Sequence, residues 1–191
     1  MVLFCVLLQC AAQAQPTREL LNSERIAARF GSYGITVLES TAAVRISNLF
    51  STEGDRTVCR TFAVVRYPSS ANPVFAPEHE AILKGGSIGA VFAAAGWEVR
   101  KSHLYFGELL ATKRVAALMQ VALGTPLAEH AYVLSIAKNG QAFEYAALVE
   151  IHHPAYLQRV DLELIYGPVN SVGRDAFVEA LLATAAASSE R

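Results

Sequence analysis

Two stretches of this chain repeat one pattern of apolar and polar positions. Val44 to Phe50 alternates, passes through Ser51-Thr52-Glu53-Gly54-Asp55-Arg56, and continues as an apolar run from Thr57 to Arg66 that ends at Tyr67-Pro68. Further on, Tyr132 to Ala137 leads through Lys138-Asn139-Gly140-Gln141 into Phe143 to Ile151, followed by His152-His153-Pro154. Period-two alternation around a glycine-containing turn, closed by a proline that cannot donate to a ladder, predicts a β-hairpin in each place. Each second strand carries one charge in an apolar run, Arg60 in the first and Glu150 in the second. A cation and a carboxylate at related places in two hairpins are expected to face each other across one pocket.

The remaining pattern alternates between helix and strand. Asn22 or Ser23 opens a helix to about Phe30, stopped by Gly31 and Gly34. Ile35 to Ser40 reads as a strand, Pro77-Glu78 opens a helix to about Lys84, and Ala90 to Ala95 resumes helical character after Gly85-Gly86-Ser87-Ile88-Gly89. Glu98 to Leu109 reads as a long strand, Lys113 to about Val121 as a short helix, and Arg174 to Ala187 as an Ala-rich helix. Consecutive hairpins predict a single α+β domain: a mostly antiparallel sheet with helices packed on one face and two related hairpin halves.

Composition narrows the classes. The chain has 191 residues, 53% hydrophobic and 17% charged, with a formal net charge of -1. That suits one domain with a sizeable core and argues against disorder. The basic residues form no cluster longer than a pair, so no nucleic-acid partner is expected. At the N-terminus, Val2 to Leu8 is apolar and Ala12-Gln13-Ala14 precedes Gln15-Pro16, the pattern of a signal peptide over residues 1–14 with export of the rest to the periplasm or beyond. No Lys or Arg precedes the apolar run, so a misassigned start, with a cytoplasmic protein, is the alternative. The run is too short to remain as a membrane span. Cys5 and Cys10 then leave with the signal, and Cys59 stays as a lone buried thiol.

Candidate chemistry sits on the hairpins. Strand alternation puts Arg60 with Val58, Phe62 and Val64, where a partly dehydrated guanidinium suits a bidentate carboxylate; a structural ion pair is the other reading. Glu150 shares a face with Ala146, Leu148 and His152, and a carboxylate there suits proton exchange with an ether or hydroxyl oxygen, His152 being its proton partner. His152 and His153 point to opposite faces, so a metal would need a third ligand from His79, His103 or His130; satisfied histidines are the simpler reading, and no metal or other cofactor is expected. Gly85 to Gly89 either exposes backbone N–H groups to an anion or allows close helix packing.

These same residues resemble a known family. Ser23 to Val37, with Arg29-Phe30 and Gly34-Ile35-Thr36-Val37, is similar to the first helix and strand of bacterial chorismate lyase. Cys59-Arg60-Thr61 resembles its strand with the ligand-binding arginine, and Gly86-Ser87-Ile88-Gly89 its Gly-rich turn. Gly140 to Pro154 resembles its last strand, where a glutamate lies four residues before a proline. Effector-binding (UTRA) domains of many bacterial transcription regulators share the fold. The resemblance runs in order from Ser23 to Tyr156. It implies a buried slot for a small aromatic or cyclic carboxylate, with Arg60, Ser87, Ile88 and Gly89 binding and Glu150 and His152 acting on an enolpyruvyl ether to release pyruvate. The alternative it implies is a non-catalytic binding module. The family pattern is apolar where His152 stands, a departure that suggests altered chemistry or a more polar ligand.

Overall fold

The computed structural model describes residues 19–68, 72–169 and 175–190. The expected signal peptide, residues 1–14, lies outside them. Six strands form one sheet: β1 (Gly34–Ser40), β2 (Val44–Glu53), β3 (Arg56–Arg66), β4 (Glu98–Leu110), β5 (Pro126–Lys138) and β6 (Gln141–His152). Their order is β1-β2-β3-β6-β5-β4, and every neighbouring pair is antiparallel. Two three-stranded meanders therefore meet along β3 and β6, each built around one of the two expected hairpins. The second hairpin turns on Asn139 and Gly140, both at positive φ (53° and 77°), the backbone that a tight two-residue hairpin turn requires and that asparagine and glycine adopt most readily.

The helices are α1 (Asn22–Phe30), α2 (Ala76–Leu83), α3 (Ile88–Ala94), α4 (Lys113–Met119), α5 (Arg159–Tyr166) and α6 (Ala176–Glu190). α1 ends as its sequence dictates, with Gly31 at φ 74° and its N–H bonded to the Ala27 carbonyl. α1, α2, α3 and α5 cover the sheet face carrying Ala63, Val65, Tyr132 and Leu148, burying Ile26, Ile82, Phe92 and Leu162 there. α4 and α6 pack on residues of the other pleat, among them Phe62, Val64 and Val149. The α+β architecture with one antiparallel sheet and two hairpin halves is the one expected; α5 has no counterpart among the expected elements.

Ladder irregularities decide which side chains reach the covered face. The β2–β3 register pairs Leu49 with Thr61 but Phe50 with Cys59, leaving Arg60 as an extra residue. The β5–β6 register slips likewise, pairing Ser135 with Glu144 and Leu134 with Ala146, with Tyr145 extra. A bulge of this kind inserts one residue and reverses the alternation beyond it.

Candidate functional site

A pocket lies on the covered face, beneath the starts of α1 and α3. Its floor comes from both meanders: Arg45, Ser47 and Leu49 of β2, Ala63 and Val65 of β3, Lys101 of β4, Tyr132 and Leu134 of β5, and Leu148 and Glu150 of β6. Leu21, Asn22 and Ser23 close one side, and Ser87, Ile88 and Gly89 another. The cavity measures about 60 Å³ on a scale where one water needs roughly 10–15 Å³. That is space for a few water-sized groups.

Arg45 is the buried cation on this wall, only 1% exposed. Its Nη1 donates to the carbonyls of Ile82 and Gly86, both at 2.9 Å, and its Nε donates to Ser47 Oγ at 2.9 Å. The end of α2 thus holds the guanidinium in place, while Nη2 has no hydrogen-bond partner among the described residues. Lys101 lines the same pocket, with Nζ 3.0 Å from Glu19 Oε1.

Arg60 stands elsewhere. It is buried and does not line this pocket. Its Nε donates to Ser51 Oγ at 2.8 Å, Nη2 pairs with Glu53, and the guanidinium stacks 3.8 Å from the centre of the Phe30 ring. Because Arg60 is the bulged residue, it leaves the face of Phe62 and Val64 and turns toward α1. The expected apposition of Arg60 and Glu150 across one pocket is replaced by Arg45 and Glu150. Ser87, Ile88 and Gly89 do stand at the pocket wall.

Glu150 is buried at 4% exposure and anchored by Asn22, whose Nδ2 donates to Oε1 at 3.0 Å and to Thr61 Oγ1 at 3.2 Å. Asn22 Oδ1 accepts from the Tyr156 hydroxyl at 2.6 Å. The second oxygen, Oε2, faces two imidazoles: His130 Nδ1 and His152 Nε2 each lie 3.9 Å away. That is beyond hydrogen-bond range, and both nitrogens lack a partner among the described residues. The far side of each ring is held, His130 Nε2 at 2.9 Å from His103 Nδ1 and His152 Nδ1 at 3.1 Å from Thr61 Oγ1. Burial, reinforced by Lys101 and Arg25, pulls His152 down to about 3. Burial, then the charges of His152, Lys101 and His103, holds His130 well below the usual imidazole range.

His130 is the residue that sequence reasoning left unplaced. Of the three histidines weighed as a third partner for Glu150 and His152, it is the one the ladder sets beside them, and His103 stands behind it. His79 belongs to a separate aromatic cluster, bonded through Nδ1 to the Tyr145 hydroxyl at 2.8 Å. Cys59 is buried with its thiol pushed up to about 12 by desolvation, and serves as a small apolar residue.

No family model matches the chain, and no curated protein matches it. Among solved structures it is similar to the ligand-binding domain of a GntR-family transcriptional regulator from Bordetella bronchiseptica, at 12% identity and a TM-score of 0.45, covering 65% of this chain and 87% of that one. It is also similar to the C-terminal domain of PhnF (12%, TM-score 0.44, 74% and 79%). A third likeness is to the C-terminal domain of Yurk from Bacillus subtilis (15%, TM-score 0.38, 66% and 90%).

Proposed function

We propose that this domain binds a small organic acid, its carboxylate at Arg45 and its body between the apolar walls. The observation that carries this is the buried Arg45 guanidinium, fixed by two backbone carbonyls and one hydroxyl, with one nitrogen left to donate. A guanidinium held this way can donate from Nη2 to a carboxylate oxygen in a charge-assisted hydrogen bond, and loses little entropy on doing so. Leu49, Val65, Leu134 and Leu148 form walls for a ring or short chain. The β2–β3–β6 register sets Arg45 and Glu150 about 12 Å apart at their Cα atoms, by strand spacing and rise. A polar group at the ligand's far end therefore meets Glu150, Asn22 and Lys101.

A second reading adds turnover. In an enolpyruvyl ether of a cyclic acid, the bond from ring carbon to ether oxygen breaks, the ring loses a proton and becomes aromatic, and the released enol tautomerises to pyruvate. Glu150 favours this reading, being a carboxylate on the pocket wall able to carry that proton. His152 stands behind Glu150 rather than on the wall.

The test is calorimetric titration of 4-hydroxybenzoate and chorismate into the purified protein, with pyruvate followed in parallel. Arg45→Met and Arg45→Lys are expected to weaken binding at least tenfold, and Arg60→Ala to leave it within threefold. Equal affinity in parent and Arg45→Lys overturns the pocket assignment. Pyruvate formation that Glu150→Gln abolishes establishes turnover.

A further inference from the structure

Beneath the pocket wall, three donors from two neighbouring strands converge on one point. His130 on β5 pairs directly with Glu150 on β6, and His152 follows Glu150 by two residues, so all three side chains leave the same sheet face. His130 Nδ1, Glu150 Oε2 and His152 Nε2 lie within 4.8 Å of one another, and all three residues are buried. We propose that His130, Glu150 and His152 form a binding site for one first-row divalent cation of the zinc or ferrous type.

Four features support it. The two imidazole nitrogens facing Glu150 have no hydrogen-bond partner among the described residues, and buried polar atoms left that way are costly. A cation bonded to both nitrogens and the carboxylate satisfies all three at once. Bond lengths of about 2.0–2.2 Å place tetrahedral ligands roughly 3.3–3.6 Å apart, so the 3.9 Å separations from Oε2 need close by about half an ångström, while the two nitrogens start within 4.8 Å of each other. The rings are aimed from behind, His130 by His103 and His152 by Thr61, while Asn22 holds the other carboxylate oxygen. Such outer bonds fix the orientation of metal ligands and usually accompany them.

The donor set selects the ion. Two imidazoles and one carboxylate suit zinc, iron, cobalt or nickel, whereas calcium and magnesium need many oxygens. The charge balance points the same way. Glu150 supplies one negative charge, Glu19 offsets Lys101 at 3.0 Å, and Arg25 stands near enough to act on His152. A hard cation held by charge alone is disfavoured there; one bound through nitrogen lone pairs is not. Three protein donors leave a tetrahedral ion one position for water or a ligand atom, and Glu150 is the donor that borders the pocket. The site does not depend on the identity of the organic ligand.

The experiment strips the full chain with chelator and titrates Zn²⁺ alone, then Co²⁺ for its ligand-field spectrum. The expected result is one ion per chain, with visible bands of a four- or five-coordinate cobalt. His130→Asn and His152→Asn should each weaken binding at least 100-fold, and Glu150→Gln about tenfold. Thr61→Val, which removes the bond behind His152 together with one from Asn22, is expected to cost about tenfold. His79→Asn should leave affinity within twofold. Substoichiometric uptake, or unchanged affinity in His130→Asn and His152→Asn, overturns the site. Should those variants fail to fold, pulsed EPR of Cu²⁺ bound to the parent chain decides. Two coordinated imidazoles support the proposal, and one or none overturns it.

Discussion

His130 faces Glu150 squarely across the β5–β6 ladder, and it does so because Tyr145 bulges out of that ladder. Continued unbroken from the pair Ser135 and Glu144, the same register would set His130 against Val149, on the opposite pleat. One inserted residue thus brings a histidine beside a carboxylate in the buried interior. Without a bound partner, His130 Nδ1 and His152 Nε2 have no hydrogen-bond partner among the described residues. Replacing all three members together (His130→Leu, Glu150→Met, His152→Leu) should leave the ligand-free protein as stable as the parent or more so, by about 1–3 kcal/mol in urea unfolding. A loss of several kcal/mol would show that the cluster itself holds the fold.

Asn22 ties the first turn of α1 to β6, β3 and the turn after β6 through Glu150, Thr61 and Tyr156. Asn22→Ala removes these bonds and leaves a buried carboxylate oxygen and a buried phenol short of partners. The expected loss is about 2–3 kcal/mol, measured as a shift in denaturant midpoint at unchanged slope. Asn22→Asp should cost more, because it sets a second carboxylate against Glu150.

Arg60 is expected to matter for stability. Arg60→Ala gives up Ser51, Glu53 and the face of Phe30. Cation–π and charged hydrogen-bond magnitudes together predict a loss of about 2–3 kcal/mol. Part of it should vanish in Phe30→Leu, which a double-mutant cycle of unfolding free energies reads directly. Additive effects of the two changes would exclude the stacking contribution.

The phenols of Tyr67 and Tyr145, packed edge to face at 5.7 Å between ring centres, provide a pH test. Burial raises both above the ordinary value of 10.0, in Tyr67 against the pull of Arg45 and in Tyr145 with further help from Tyr67. Since the unfolded chain ionises first, their contribution to stability is intact below pH 10 and is lost as pH rises through and beyond it. Absorbance titration should therefore show their phenolate appearing together with alkaline unfolding. Reversible ionisation at ordinary pH in the native state would contradict the packing.

The Cys59 thiol, raised to about 12 and without solvent contact, should resist thiol reagents at pH 8 until denaturant is added. Mass spectrometry of the peptide that contains Cys59 checks this.

The architecture was legible because it follows from period and turn chemistry. Gly31 ends α1, Gly54 and Gly140 turn the hairpins, and Ala146, Leu148, Glu150 and His152 share the face their alternation predicts. What alternation cannot show is where it breaks. Parity assigns Arg60 to the face of Phe62 and Val64, and the bulge at Arg60 itself turns it to α1. Arg45 is hidden for another reason. Its strand position does put it on the inward face with Ser47 and Leu49, but what makes it a site residue is the pair of carbonyls that α2 and the following glycines present to it. That is tertiary information. α5 escaped notice as well, although its Tyr166 stacks on His103 at 4.4 Å between ring centres.

The two meanders touch as sheet only where β3 meets β6, over the pairs from Thr61–His152 to Arg66–Ala147. Arg45 belongs to one meander and Glu150 to the other. On the proposed binding mode, a molecule gripped at both ends by these side chains would act as a rivet through that seam, adding resistance to shear that neither half supplies alone. Occupancy of a small pocket would then be a mechanical property of the whole domain, readable as the force needed to part it.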